Sequence, residues 1–259
     1  MNQPADPKEI PVTTQAPPTA AVPAPRSGEE PTRLDRYRAF TRAVLAKCEG
    51  DPGARSALRS GVRKDLDSVP RMHQVIAHLV PQDVSEDTQR AYYAVAAMIA
   101  EQARRGGDAT DVDETTAGQE AAQAAKAAET AETAAAAQEA ERERKYGSSL
   151  GTAFALAVVR SPGHERKMRR GTAESRLNLL CKQGLPGLHR HLPASVRYLR
   201  SLDVPVDWAR LLQDLVDWRR HSGRVARRWL QDFYRRLHEE ERRLRDQADA
   251  EEPPTGTDA

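Results

Sequence analysis

Residues 185–202 read LPGLHRHLPASVRYLRSL. Leu185, Leu188, Leu192, Val196 and Leu199 recur at steps of three and four, so on a helix they share one side. Arg190, Arg197 and Arg200 share a second side. The spacing therefore predicts an amphipathic helix over 186–202, with an apolar stripe to bury and a basic stripe facing away.

Working outward, the same grammar repeats. Val204-Pro205 breaks the chain, and Asp207 is placed to cap the next helix. Helices are predicted over 207–221 and 223–246, where Trp208, Leu211, Leu212, Leu215, Trp218, Val225, Trp229, Phe233 and Tyr234 fall at helical spacing and read as core. Upstream, a helix near 164–182 follows one that Gly147-Ser148-Ser149 starts and Ser161-Pro162-Gly163 stops. In the N-terminal half, 34–47 places Tyr37, Phe40, Val44 and Leu45 on one side. Asp51-Pro52 opens a second helix and Pro70 a short third one. Ser85, followed by Glu86 and Asp87, opens a longer helix that Gly106 closes after Arg105. No hairpin dipeptide stands between alternating apolar runs. The expected fold is all-α: two small helical bundles, 33–107 and 146–246, joined by an acidic Ala-rich linker over 108–145. An arm over 1–32 and a tail over 247–259 are expected to be disordered, because they offer little apolar surface to offset the entropy of ordering.

The net charge of +2 conceals a segregation. Residues 33–107 carry 13 basic and 9 acidic side chains, and residues 146–238 carry 18 and 7. The linker carries 4 and 10. A basic body between acidic segments is the footprint of a polyanionic partner. Cys48 and Cys181 stand far apart with no ligand-spaced neighbours, so neither a disulfide nor a metal site is expected. Neither an apolar leader nor a membrane-length apolar run occurs, and a cytoplasmic chain with no membrane partner is expected.

The basic residues are the candidate site. Arg55, Arg59 and Arg63 stand at i, i+4, i+8 with Lys64 beside them, and Leu58, Val62 and Leu66 form the adjacent apolar stripe. Arg166, Arg169 and Arg176 repeat the pattern before the 186–202 helix, and Arg224, Arg228 and Arg235 after it. Guanidiniums keep their charge and present a planar fork that suits phosphate. Rows of them follow a nucleic-acid backbone without reading bases. The competing reading is a solvated or protein-facing helix side; stripes of one sign favour the polyanion.

Chemistry other than binding finds little support. Gly147-Ser148-Ser149-Leu150-Gly151 matches the G-x-S-x-G nucleophile pattern, but a charged segment precedes it where that elbow needs a strand, so a helix N-cap is expected. His73 and His78, and His189 and His191, lack acidic or Cys partners at metal spacing and read as structural or surface residues. No catalytic residue, no metal ligand and no cofactor is expected.

Three stretches carry a family resemblance. They are residues 53–61, GARSALRSG; residues 147–156, GSSLGTAFAL; and residues 192–201, LPASVRYLRS, continuing through VPVDWARLL at 204–212 and WLQDFY at 229–234. Over about 33–106 and 146–238 the chain resembles the CasB small subunit of the type I-E CRISPR surveillance complex, Cascade. The resemblance implies a non-catalytic subunit that helps hold target DNA paired to guide RNA and keeps the displaced strand apart, stabilising an R-loop. It implies as partners guide RNA and target DNA, the backbone and large subunits of Cascade, and a second copy of the chain. It places backbone contacts on Arg55, Arg59, Arg63 and Lys64, and on Arg169, Arg176, Arg190, Arg197 and Arg200. The alternative is a purely structural helical scaffold whose basic faces meet acidic protein surfaces.

Overall fold

The computed structural model describes residues 32–102, 141–143, 145–159 and 168–251. The arm before Thr32, most of the 108–145 linker, Gly106, Arg166 and the residues after 251 lie outside the described residues. Within them the fold is all-α, as expected: α1 (Arg33–Gly50), α2 (Pro52–Arg59), α3 (Pro70–Ile76), α4 (Glu86–Gln102), α5 (Leu150–Val159), α6 (Arg170–Cys181), α7 (Leu185–Ser201) and α8 (Trp208–Glu251). Extended pairing among the described residues amounts to one isolated parallel bridge, between Ser148 and Val206.

The helix starts follow from local chemistry. Thr32 and Asp35 form a reciprocal capping box, each side chain accepting the other's backbone N–H at 3.2 Å. Asp51 accepts the Gly53 N–H at 2.7 Å with Pro52 at the first helical position. Asp207 accepts the N–H groups of Ala209 and Arg210 at 2.9 and 3.0 Å, the cap its position after Val204-Pro205 predicts. The predicted 207–221 and 223–246 helices both form and meet, within the span named α8, at a kink where expected: His221 has non-helical backbone angles, φ −138° and ψ 30°. The helix then continues to Glu251, past the boundary expected at 246.

The apolar stripes of every helix meet in one core. Helix α4 packs on α1, α2, α7 and α8, while α8 packs on α1, α4, α5 and α6. Trp218, Trp229 and Phe233 are fully buried as expected, and so is Phe154; of the other aromatics read as core, Trp208 is half-buried and Tyr234 is exposed. Each fully buried large apolar side chain contributes about 1.5–3 kcal/mol relative to exposure. Because α1 and α4 pack directly on α8, residues from both halves belong to one compact unit, and the two-bundle layout is not confirmed.

The break in α8 is bridged by polar side chains. Asp214, before it, is paired with Arg228 and accepts the Trp229 indole N–H at 2.5 Å, both after it. Burial pushes the Asp214 carboxyl up to about 6, against the opposing pull of Arg228 and Trp229. The Trp218 and Trp229 rings lie 5.0 Å apart beside this clamp.

Candidate nucleic-acid interface

The first basic stripe does not survive as a helix face. Helix α2 ends at Arg59, and Arg63 sits in the turn beyond it with φ +64°. The i, i+4, i+8 reading fails because the chain must turn after Ser60 to enter the Leu66–Ser68 turn of 3₁₀ helix. Arg59, Arg63 and Lys64 are exposed, and none has an ion pair with another described residue. Arg55 is half-buried instead, and its Nε donates to the Ala100 carbonyl at 3.3 Å.

In the second half the residues divide similarly. Arg190 and Arg169 are exposed. Arg169 is the residue that leads into α6. Arg176 is half-buried, its guanidinium 4.7 Å from the centre of the Tyr198 ring. Arg197 is paired with Glu101, and Arg200 is half-buried with an interaction of its own.

Arg55 and Arg197 thereby converge from the two halves of the chain on neighbouring residues of α4, the Ala100 carbonyl and the Glu101 carboxylate. One guanidinium nitrogen of Arg55 is enclosed without a hydrogen-bond partner. Spacing alone gave no sign of this, since the two arginines stand far apart in sequence and neither lies on α4.

The G-x-S-x-G segment and His73 have structural partners. Ser149 caps α5: the Thr152 N–H donates to its hydroxyl at 3.3 Å, and that hydroxyl donates to Asp232 at 2.8 Å. Gly147 has φ +86°, and a Cβ there would lie 2.8 Å from the Val206 backbone. At Gly151 a Cβ would lie 2.0 Å from the Trp229 carbonyl oxygen, so only glycine lets α5 cross α8 this closely. The motif's two glycines and its second serine thus hold α5 against α8. His73 bonds the Tyr93 hydroxyl at 2.7 Å and the Leu66 carbonyl at 3.1 Å. Burial, with Arg90 nearby, pulls His189 down to about 4, so it is neutral at pH 7. Both cysteines are free thiols. Among the described residues no cluster of three or more ligand-type side chains could hold a metal, and no helix is long and apolar enough to cross a membrane.

Two clefts involve residues outside the candidate set. The larger, about 1180 Å³, lies between α1, the start of α4 and the break in α8, and is flanked by the Arg33–Asp217 and Arg219–Asp87 ion pairs. The other, about 680 Å³, lies between α6 and the second half of α8 and includes Lys182, Arg227, Tyr234 and Arg235. Of these, sequence reading had grouped Arg235 with Arg224 and Arg228, yet Arg228 turns inward to Asp214. Lys182 and Arg227 were missed, because the groove draws on two helices and no single-helix period can show it.

Comparison with known proteins follows this geometry. The family model described as CRISPR-associated protein Cse2 matches residues 54–234. A chain from a "CRISPR RNA-guided surveillance complex" is 32% identical, with a TM-score of 0.60, the match covering 82% of this chain and 99% of that one. A chain from a "CRISPR RNA-guided surveillance complex, pre-nicking" is 34% identical, with the same TM-score and coverage. The crystal structure of M. ruber CasB, 20% identical with a TM-score of 0.50, covers 82% of this chain and 98% of its own, and shares the fold. No curated protein sequence matches the chain.

Proposed function

This chain belongs to the CRISPR-associated Cse2 family, and from that premise we propose that it is a non-catalytic small subunit of a Cascade-type CRISPR RNA-guided surveillance complex. In that role it binds nucleic-acid backbone and stabilises the guide–target duplex and the displaced strand of the R-loop. Its partners are guide RNA, target DNA, the backbone and large subunits, and a second copy of itself, all met in the cytoplasm.

The observation that carries the binding reading is the set of exposed cations on the two basic regions: Arg59, Arg63 and Lys64 from one, Arg169 and Arg190 from the other. None has an ion pair with another described residue, so their charge is available to a polyanion. R-loop formation is a near-balanced exchange of duplexes, so a few phosphate contacts are enough to tip it. The non-catalytic reading is supported by Ser149, whose hydroxyl is engaged as a cap and by Asp232.

The scaffold reading, in which basic faces meet acidic protein surfaces, draws on the same exposed cations, whereas Arg55, Arg176 and Arg197 meet Ala100, Tyr198 and Glu101 of the same chain. We assign these three to holding the fold, with phosphate contact by Arg197 secondary to its pair with Glu101. The test is Arg59, Arg63, Lys64 and Arg190 changed together to Ala in the assembled complex. Four fewer phosphate contacts should lower the slope of log affinity against log salt by about 3. Target DNA held as tightly, with the same salt slope, sinks the binding reading; failure of the variant to enter the complex supports the scaffold.

A further inference from the structure

The groove between α6 and the second half of α8 gathers basic side chains from both walls. Lys182 comes from the residue after α6, and Arg227, Arg235 and His238 from α8. No acidic residue lines the groove, and none of Lys182, Arg227 and Arg235 has an ion pair with a described residue. Glu241 lies 3.8 Å from His238 and, with Glu174, 3.1 Å from Arg170, while Asp232 of α8 is near enough to Arg235 to feel its charge and is held by the Ser149 hydroxyl.

Between the cations the floor is apolar, built from Ala226, Leu230 and Cys181. Tyr234 rises from it, 37% exposed, one of three large apolar side chains that are exposed among the described residues. Its ring packs edge-on against the fully buried Phe233, with centroids 5.0 Å apart. The ring is therefore held from below while part of it meets solvent.

Single-stranded nucleic acid is bound by the combination of a cationic groove that tracks the backbone and aromatic rings on which bases stack. A duplex does not fit this chemistry, because its bases are already stacked and paired. We propose that the α6–α8 groove binds single-stranded nucleic acid, with a base stacked on Tyr234 and flanking phosphates on Lys182, Arg227 and Arg235. This rests on the nucleic-acid reading above but uses a different set of residues. It gives the chain a surface for unpaired strand built from residues other than Arg59, Arg63 and Lys64, at and beyond the end of α2, and Arg190 of α7.

The test uses the full-length chain, an oligo-dT probe, and parallel measurements on the Arg59/Arg63/Lys64/Arg190 alanine variant. Tyr234→Leu keeps apolar cover but removes the ring, and should weaken binding about 5- to 150-fold. Tyr234→Phe should bind as the unaltered chain does. Arg227→Ala with Arg235→Ala should lower the salt slope by about 1.4. Ultraviolet crosslinking of the probe to Tyr234 would add direct support. Unchanged binding by both groove variants, with loss in the Arg59/Arg63/Lys64/Arg190 variant, overturns this inference and leaves the proposed function standing. Absence of binding by the unaltered chain, free or in the complex, overturns both. Groove variants that bind the probe normally but fail to join their partner subunits make the groove a protein-docking face, and the inference falls.

Discussion

Helix α4 and the groove between α6 and α8 both collect basic side chains, and they differ in what faces those charges. At α4 the guanidiniums of Arg55 and Arg197 meet a backbone carbonyl and a carboxylate of their own chain. In the groove, Lys182, Arg227 and Arg235 surround apolar surface and have no ion pair with a described residue. A row of arginines in a sequence therefore says where positive charge is, and the fold decides whether that charge is spent inside the molecule or offered outside it.

The groove's outer wall is α8 beyond its break, so the strongest way to disturb the comparison is at the clamp across that break. Asp214→Ala removes the partner of Arg228 and leaves the buried Trp229 N–H without an acceptor. A loss of about 3 kcal/mol is expected in chemical denaturation, at the low end for broken buried pairs because Arg228 is half exposed. Gly151→Ala pushes a methyl group into the Trp229 carbonyl and should cost about 1–3 kcal/mol by the same measurement. If both variants unfold like the unaltered chain, α8 is not anchored as described.

Arg55→Ala comes next. It removes a charged hydrogen bond to Ala100 and should destabilise by about 1.5–3 kcal/mol, whereas Arg227→Ala with Arg235→Ala should stay within about 0.5 kcal/mol. Equal losses at the two places would erase the distinction between internal and offered charge. Arg197→Ala, at an exposed pair, should cost no more than about 1 kcal/mol.

The smallest effect expected is on pH dependence. The Asp214 carboxyl is raised in the folded chain, so the folded state takes up its proton first and stability rises as pH falls from about 6 toward the unfolded value near 3.8. His189 is lowered to about 4, so the unfolded state takes up its proton first and stability falls as pH drops below about 6.5. The two oppose each other across nearly the same window. Asp214→Asn keeps an acceptor for Trp229 and removes the first contribution, so thermal unfolding should become more acid-sensitive between pH 6 and 4 than in the unaltered chain. An identical pH profile would show that Asp214 does not titrate in this range.

Helix content, most helix starts and the core stripes could be read from spacing and capping residues, because those are set within a few residues of each other. Asp51, Asp207 and Ser149 cap the helices their positions predict, and the break in α8 falls where two helices were expected to meet. Of the three stretches that carry the family resemblance, the most specific, 192–212 with 229–234, lies within the region that the family model matches. The candidate site was legible only as an inventory of cations. Arg63 is off the helix face because the chain turns after Ser60, where Gly61 lies so close to Met72 of α3 that a Cβ would fall 1.9 Å from its sulfur.

Local chemistry in the sequence thus determined that the chain is helical, where its helices begin, and that its body is basic, since propensity, capping and charge act over a few residues. Only the tertiary structure decided which helices share the core, why Gly151 must be glycine, and which arginines keep their charge for a partner. Those outcomes depend on contacts between residues distant in the chain: Arg55 with Ala100, Gly151 with Trp229, Arg228 with Asp214. A periodic pattern along one helix carries no information about what the neighbouring helix will present to it.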